Sequence, residues 1–216
     1  MNYLEELNIS RSNIDIVALK NLPVRRLSLC GINIGDKITE IFKNTHLKYL
    51  DLSENNISSQ GFITISMYLV TSGPIIDLNL SYNNPDNAGI GRLFESLTYN
   101  TTLQKLTLQH CGLTSLSIIP LVDSLFYNNT LQFIDLSKNS LENTGVVSLS
   151  EALINNISLV SIDLSFNRIG NRGIENYLQP LRQTYHFLII LDNIMKDRGP
   201  YYKSILISRR LLRSRN

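Results

Sequence analysis

The sequence predicts an α/β solenoid, one stack of strand–turn–helix units running the length of the 216-residue chain. Three observations carry this prediction. The template L-x-x-L-x-L-x-x-N-x-L can be laid down eight times, starting at Leu4, Val24, Leu47, Ile75, Leu103, Leu131, Leu159 and Tyr185. The spacings between starts are 20, 23, 28, 28, 28, 28 and 26 residues, and four equal spacings in a row do not arise by chance. Inside each copy apolar and polar residues alternate, whereas between copies apolar residues recur four apart, so the period switches from strand to helix.

Each unit opens with its strand, clearest in LKYLDLSENNI, LQKLTLQHCGL, LQFIDLSKNSL and LVSIDLSFNRI. The ninth template position forms a column of Ser12, Ile32, Asn55, Asn83, Cys111, Asn139, Asn167 and Asn193. An asparagine there can turn its amide inward and satisfy backbone groups left open where the strand ends. Cys111 is a stand-in, and Ile32 is expected to loosen the ladder locally. A second column, Asn33, Ser59, Asn87, Ser115, Asn143, Asn171 and Asp197, carries residue types that cap helix N-termini. Two residues on come Gly35, Gly61, Gly89, Gly145, Gly173 and Gly199, with Ser117 the exception. The helices follow from the apolar pairs Ile65/Leu69, Leu93/Leu97, Leu121/Leu125, Leu149/Leu153 and Tyr177/Leu181, each on one helix face turned to the strands.

The phrase from Asn139 to Leu159, N-x-L-x-x-x-G-x-x-x-L-x-x-x-L-x-x-N-x-x-L, resembles the ribonuclease-inhibitor type of leucine-rich repeat. The resemblance covers nearly the whole chain. It implies a right-handed horseshoe, parallel strands lining the concave side and helices the convex side. The whole of 1–216 is expected to be a single domain. Residues 1–46 hold short atypical repeats with room only for a short helix or 3₁₀ turn, and 47–184 hold the regular repeats. Residues 185–216 are expected to form the last strand and a basic C-terminal capping helix, with Pro200 suited to its first turn.

Chemistry is mostly absent. No P-loop, G-x-G-x-x-G or G-x-S-x-G occurs, so neither a cofactor nor an enzymatic activity is expected. His110 and His186 stand three repeats apart, on the order of 15 Å at strand spacing, too far to share a metal. Cys30 and Cys111 are also three repeats apart, beyond disulfide reach. With two cysteines and no signal-like N-terminus, a cytoplasmic location is expected. The six Asn-x-Ser/Thr acceptors, at Asn8, Asn56, Asn79, Asn100, Asn128 and Asn156, read as by-products of an Asn- and Ser-rich chain. No apolar run is long enough to cross a membrane.

Function is therefore expected in a surface. Template positions three, five, seven and eight face outward from the strands. They place Asp51, Asp77, Asp135 and Asp163 in an acidic stripe and Tyr49, Tyr82, Phe133, Phe166 and Phe187 among them. Aromatic rings are over-represented at interface hot spots. In YHFLIILDN, Phe187, Ile189 and Leu191 also fall on concave positions, an apolar strand that a partner or the chain's own tail must cover. From Arg198 onward there are six basic residues and no acid, which leaves −4 for residues 1–197 of a chain whose net charge is +2. That tail could meet an acidic surface, whereas the concave face lacks the interleaved basic residues of a nucleic-acid binder.

These features predict a non-enzymatic interaction module that holds another protein, one of basic character if the Asp stripe selects it. The resemblance implies two alternatives. One is a small-GTPase regulator similar to the Ran-activating proteins, which typically end in an acidic tail. The other is a cytoskeletal scaffold similar to the actin-binding repeat domain of tropomodulins.

Overall fold

The computed structural model describes residues 4–19, 23–43, 46–71, 73–173, 175, 187–192 and 204–209. Seven short strands stack in parallel: β1 (Glu6–Asn8), β2 (Arg26–Ser28), β3 (Tyr49–Asp51), β4 (Asp77–Asn79), β5 (Lys105–Thr107), β6 (Phe133–Asp135) and β7 (Ser161–Asp163). Their register follows the template residue for residue, aligning Leu7, Leu27, Leu50, Leu78, Leu106, Ile134 and Ile162 across the sheet. From Leu27 on these central residues are buried, and with Leu52, Leu80, Leu108, Leu136 and Leu164 they build one continuous core.

Helices cover the core in the regular repeats: α1 (Ser59–Val70), α2 (Asn87–Leu97), α3 (Ile119–Leu125), α4 (Glu142–Asn155) and a single turn, α5 (Asn171–Gly173). The four described apolar pairs are buried, from Ile65 and Leu69 in α1 to Leu149 and Leu153 in α4. Tyr177 and Leu181 lie outside the described residues. The two short repeats are closed by 3₁₀ turns at Ile16–Leu19 and Lys37–Lys43 instead of α-helices.

In α1 and α2 the expected helix caps are displaced by one residue. Ser58 caps α1 by accepting from the Gln60 N–H, and Asp86 caps α2 by accepting from Ala88 and Gly89. The Ser59 column opens the helix and serves the following repeat. Ser59 Oγ accepts from the Asp86 N–H, and Asn143 Oδ1 from the Gly170 N–H. This contact needs closely spaced helix starts: a Cβ on Gly89 would sit 2.7 Å from Ser59 Cα. Where Ser117 replaces the glycine, the helix starts late, at Ile119, and its residue Ile118 supplies no side-chain cap. The hydroxyl of Ser117 instead closes a local turn with Thr114.

Asparagines stitch the repeats at both ends of the strands. At the strand exit Asn55, Asn83, Asn139 and Asn167 are buried. Asn83 Oδ1 accepts from the N–H groups of Asn55 and Ile57 one repeat back, while its Nδ2 donates to the Leu52 and Leu80 carbonyls. Asn139 repeats the pattern on Cys111 and Leu113. Cys111 fills the intermediate rung, its thiol donating to the Leu80 carbonyl, and burial pushes that thiol up to about 12, where it is inert as a nucleophile. A thiol cannot replace the amide oxygen for both N–H groups of the preceding turn. One of those groups is absent, because the residue that corresponds to Ile57 is Pro85.

At the helix exit Asn100, Asn128 and Asn156 form a second ladder. Asn128 Nδ2 donates to the Leu97 and Asn100 carbonyls, and its Oδ1 accepts from the N–H groups of Thr130 and Leu131. Thr102, Thr130 and Ser158, two residues after each asparagine, donate to the carbonyls of Gly73, Asn100 and Asn128 in the preceding repeat. These three Asn-x-Ser/Thr triplets are therefore structural units, not by-products of composition, and their asparagines are buried.

The C-terminal expectation fails. Residues Ser204–Arg209 form a strand, β9, not part of a capping helix, and β8 (Phe187–Asp192) does not stack on β7. The sheet order is β1 to β7, then β9, then β8, with β9 antiparallel to both neighbours. The alternating run SILISR suits a strand, and Ile207 lands opposite the core residue Ile162. Arg198 and Lys203 lie outside the described residues.

Candidate functional site

The open face of the sheet divides by template position. At position three, side chains pair across strands: the Arg26 guanidinium lies 3.6 Å above the Tyr49 ring, and Lys105 Nζ is 3.2 Å from Asp77 Oδ2. With Glu6 and Asp51 they line a depression of about 320 Å³. Phe133, on the next strand, is 42% exposed and has no such cover.

Position five is turned on the chain itself. One carboxylate oxygen of Asp51, Asp135 and Asp163 accepts from the N–H of Ser53, Ser137 and Ser165, and Asn8 and Asn79 do the same for Ser10 and Ser81. These residues close the turn after each strand, as Asx side chains do. With Asp77 held by Lys105, the acidic stripe is largely engaged within the protein.

Position eight is distinctive. Arg11, Glu54, Tyr82, His110, Lys138 and Phe166 all have φ between 55° and 57°, and Gly31, their counterpart in β2's repeat, has φ 68°. An L-residue in this left-handed region costs about 1–2 kcal/mol that glycine does not. The sequence places bulky side chains there in six of the seven described turns. Arg11 reaches Glu54 at 3.2 Å. Tyr82 and His110 rings lie 5.2 Å apart, and Lys138 Nζ donates to the Tyr82 hydroxyl at 2.9 Å and lies 3.5 Å from Gln109 Oε1. Tyr82, His110, Lys138 and Ser140 line a second depression of about 390 Å³. Phe166 stands at the end of this row, 48% exposed.

The structure thus gathers Tyr49, Asp51 and Asp77 at one depression and puts Tyr82 at the other. It sets Phe133, Asp135, Asp163 and Phe166 on the adjoining strands. Phe187 and Ile189 do not join them by the expected register. Ile189 pairs with Ile207, which pairs with Ile162, so in the register Ile189 lines up with the central residue of β7 and Ile190 takes the place in line with Asp163. The antiparallel insertion of β9 shifts the alternation by one residue, which a parallel template cannot anticipate.

Sequence reasoning missed the helix side. Tyr99 and Tyr127 are each 70% exposed just before the helix-exit asparagines, with Phe126 beside Tyr127, and Ile63, Met67, Val70 and Tyr99 edge an apolar groove between α1 and α2. The 28-residue spacing of Tyr99 and Tyr127 is the signal that could have found them.

Among the described residues no group of three or more His, Cys, Asp or Glu is placed to hold a metal. No described helix is long and apolar enough to cross a membrane. Cys30 and Cys111 are both free thiols.

A family model described as a leucine rich repeat matches residues 43–66, 99–122, 127–150 and 155–176. No curated protein sequence matches the chain. Among solved structures the chain is similar to the leiomodin-1 actin-binding site 2, with 21% sequence identity over 83% of this chain and 88% of that one, and a TM-score of 0.48. The recurring template, the seven aligned strands and the repeat model over its four matched segments agree on the fold: an α/β solenoid built of leucine-rich repeats.

Proposed function

We propose that this protein is a non-enzymatic interaction module of the ribonuclease-inhibitor type, acting in the cytoplasm and holding another protein on the open face of its sheet. Leucine-rich repeats generally mediate protein–protein interaction. The observation that carries the reading here is the row of exposed rings and cations set on a rigid frame: Tyr82, Phe133 and Phe166, with Tyr49 half-buried beside them. Two asparagine ladders fix the turns that present these groups, so a partner meets side chains already in place and binding loses little conformational entropy. Aromatic anchors supply most of the affinity in such an interface. The free thiols of Cys30 and Cys111 fit a reducing compartment.

The test is a pull-down comparing the wild type with a Tyr82→Ser, Phe133→Ser, Phe166→Ser variant of unchanged circular dichroism. A protein retained by the wild type alone supports the reading. Identical captures by both would move function off the sheet, to the helix side at Tyr99 and Tyr127. Actin co-sedimentation and GTP hydrolysis by small GTPases, run on the same pair, separate the scaffold and GTPase-regulator alternatives.

A further inference from the structure

Two cations on the strand-exit turns stand apart from the rest of the face. Cations elsewhere on the face are met by the chain itself: Arg11 by Glu54, Lys105 by Asp77 and Arg26 by the Tyr49 ring. Lys138 also lies over a ring, 5.6 Å from the centre of Tyr82, but it carries further donors toward solvent. Its recorded hydrogen bonds go to neutral oxygens, the Tyr82 hydroxyl and the Gln109 carbonyl, and among the described residues no carboxylate pairs with it. Arg168, on the next turn, also has no ion pair among the described residues, and it is exposed. It also sits in the left-handed region, with φ 58°. The equivalent left-handed places in other turns hold Asn33, Asn56 and Gly112, the residue types that tolerate that backbone.

Backbone preference therefore opposes Tyr82, His110, Lys138, Phe166 and Arg168 at five neighbouring places. What those places keep is a row of two cations and three rings along one edge of the sheet. Strain of this kind, gathered in one surface row and relieved by glycine, points to side chains held for a use outside the fold.

We infer that this edge docks an extended acidic segment of the partner protein, one that sets a carboxylate beside an apolar residue. The inference rests on the interaction-module reading and specifies the partner chemistry of that surface. Lys138 and Arg168 take the carboxylate, and the Tyr82, His110 and Phe166 rings flank it and accept the apolar neighbour. Four rungs, from Tyr82 to Phe166, span about 14 Å at strand spacing, the reach of roughly four or five extended residues. Asp51, Asp135 and Asp163 each turn one oxygen into their own turn but keep their charge, so the ligand's carboxylate is seated at the turn edge beside Lys138 and Arg168 and not over the strands.

The test selects short random peptides, displayed on phage, on the full chain and on a Lys138→Glu, Arg168→Glu variant. The wild type is expected to select Asp or Glu next to an aromatic or aliphatic residue. The reversed variant is expected to bind those peptides on the order of 10-fold more weakly and to select Lys or Arg in their place. Basic peptides from the wild type, or the same acidic peptides from both proteins, overturn the inference while leaving the module reading intact. If no selected peptide depends on Tyr49, Tyr82, Phe133 or Phe166, both fail together. A second measurement guards against a packing role. Tyr82→Gly and Lys138→Gly should each melt no lower than the wild type yet lose the selected peptide. A lower melting temperature would assign these side chains to the fold and overturn the inference.

Discussion

The two asparagine ladders solve one problem at opposite ends of the strand, and they are not equally robust. At the strand exit the asparagine gives way to Ser12 and Ile32 in the short repeats and to Cys111 among the regular ones, where the break is tolerated because Pro85 removes one of the donors that an amide would have served. At the helix exit the three rungs Asn100, Asn128 and Asn156 are unbroken, and each is backed by a hydroxyl two residues later that reaches the preceding repeat. The difference teaches how a repeat protein absorbs variation. A rung can change type where the groups it must satisfy change with it, and a rung supported by a second side chain is held in place by both.

The sharpest way to break the comparison is to remove a rung from each ladder. Asn83→Ala and Asn128→Ala each strand several buried backbone groups and should destabilise the protein by about 3 kcal/mol or more, read as a shift in the urea midpoint. A loss below ~1 kcal/mol at Asn128 would show that Thr130 alone carries the helix-exit turn. Next in size is Gly89→Ala, where a methyl group would press on the Ser59 backbone; about 1–3 kcal/mol is expected, with repeat-to-repeat distance the quantity that yields. The Cys111–Pro85 compensation can be measured as a double-mutant cycle. Cys111→Asn and Pro85→Ile together should be more stable than the sum of the single changes by roughly 1 kcal/mol, because only the pair restores both N–H groups and their acceptor. Additive single changes would mean that the two positions are unrelated.

The smallest effect is electrostatic. The Ser59 hydroxyl, then the Gly89 N–H, hold the Asp86 carboxyl below the ordinary aspartate value. A depressed native value means that the cap's contribution is complete above the unfolded-state range near pH 4 and is lost as pH falls through the folded value. The wild type should therefore be more stable than Asp86→Asn at neutral pH, and acid titration should close that gap on the acidic limb. A gap that stays the same from neutral pH down through the acidic limb would show that the cap acts by some means other than its charge.

Most of the fold was legible because its signals are local and repeated. A spacing of 28 and a column of asparagines locate strands, turns and helices without any long-range information. The helix-exit ladder was present in the same phrase, at Asn156, but Asn-x-Ser/Thr also spells a glycan acceptor, and that meaning hid the structural one. The C-terminal strand was illegible for a different reason. Whether SILISR is helix or strand depends on an antiparallel partner that no parallel template contains. At the candidate site the columns were visible but their roles were not. Asp51, Asp135 and Asp163 look like a binding stripe until the serine two residues on is seen to donate its N–H to them. The left-handed turn at Lys138 or Phe166 leaves no mark in the sequence beyond Gly31 in the same column.

The buried amide nitrogens of Asn100, Asn128 and Asn156 make these acceptor triplets sensitive to timing. A sugar could be joined there only to a chain whose repeats had not yet closed, and once joined it would keep them from closing. Sent through a secretory route, the protein would carry glycans at these three asparagines as a record of molecules that folded too late.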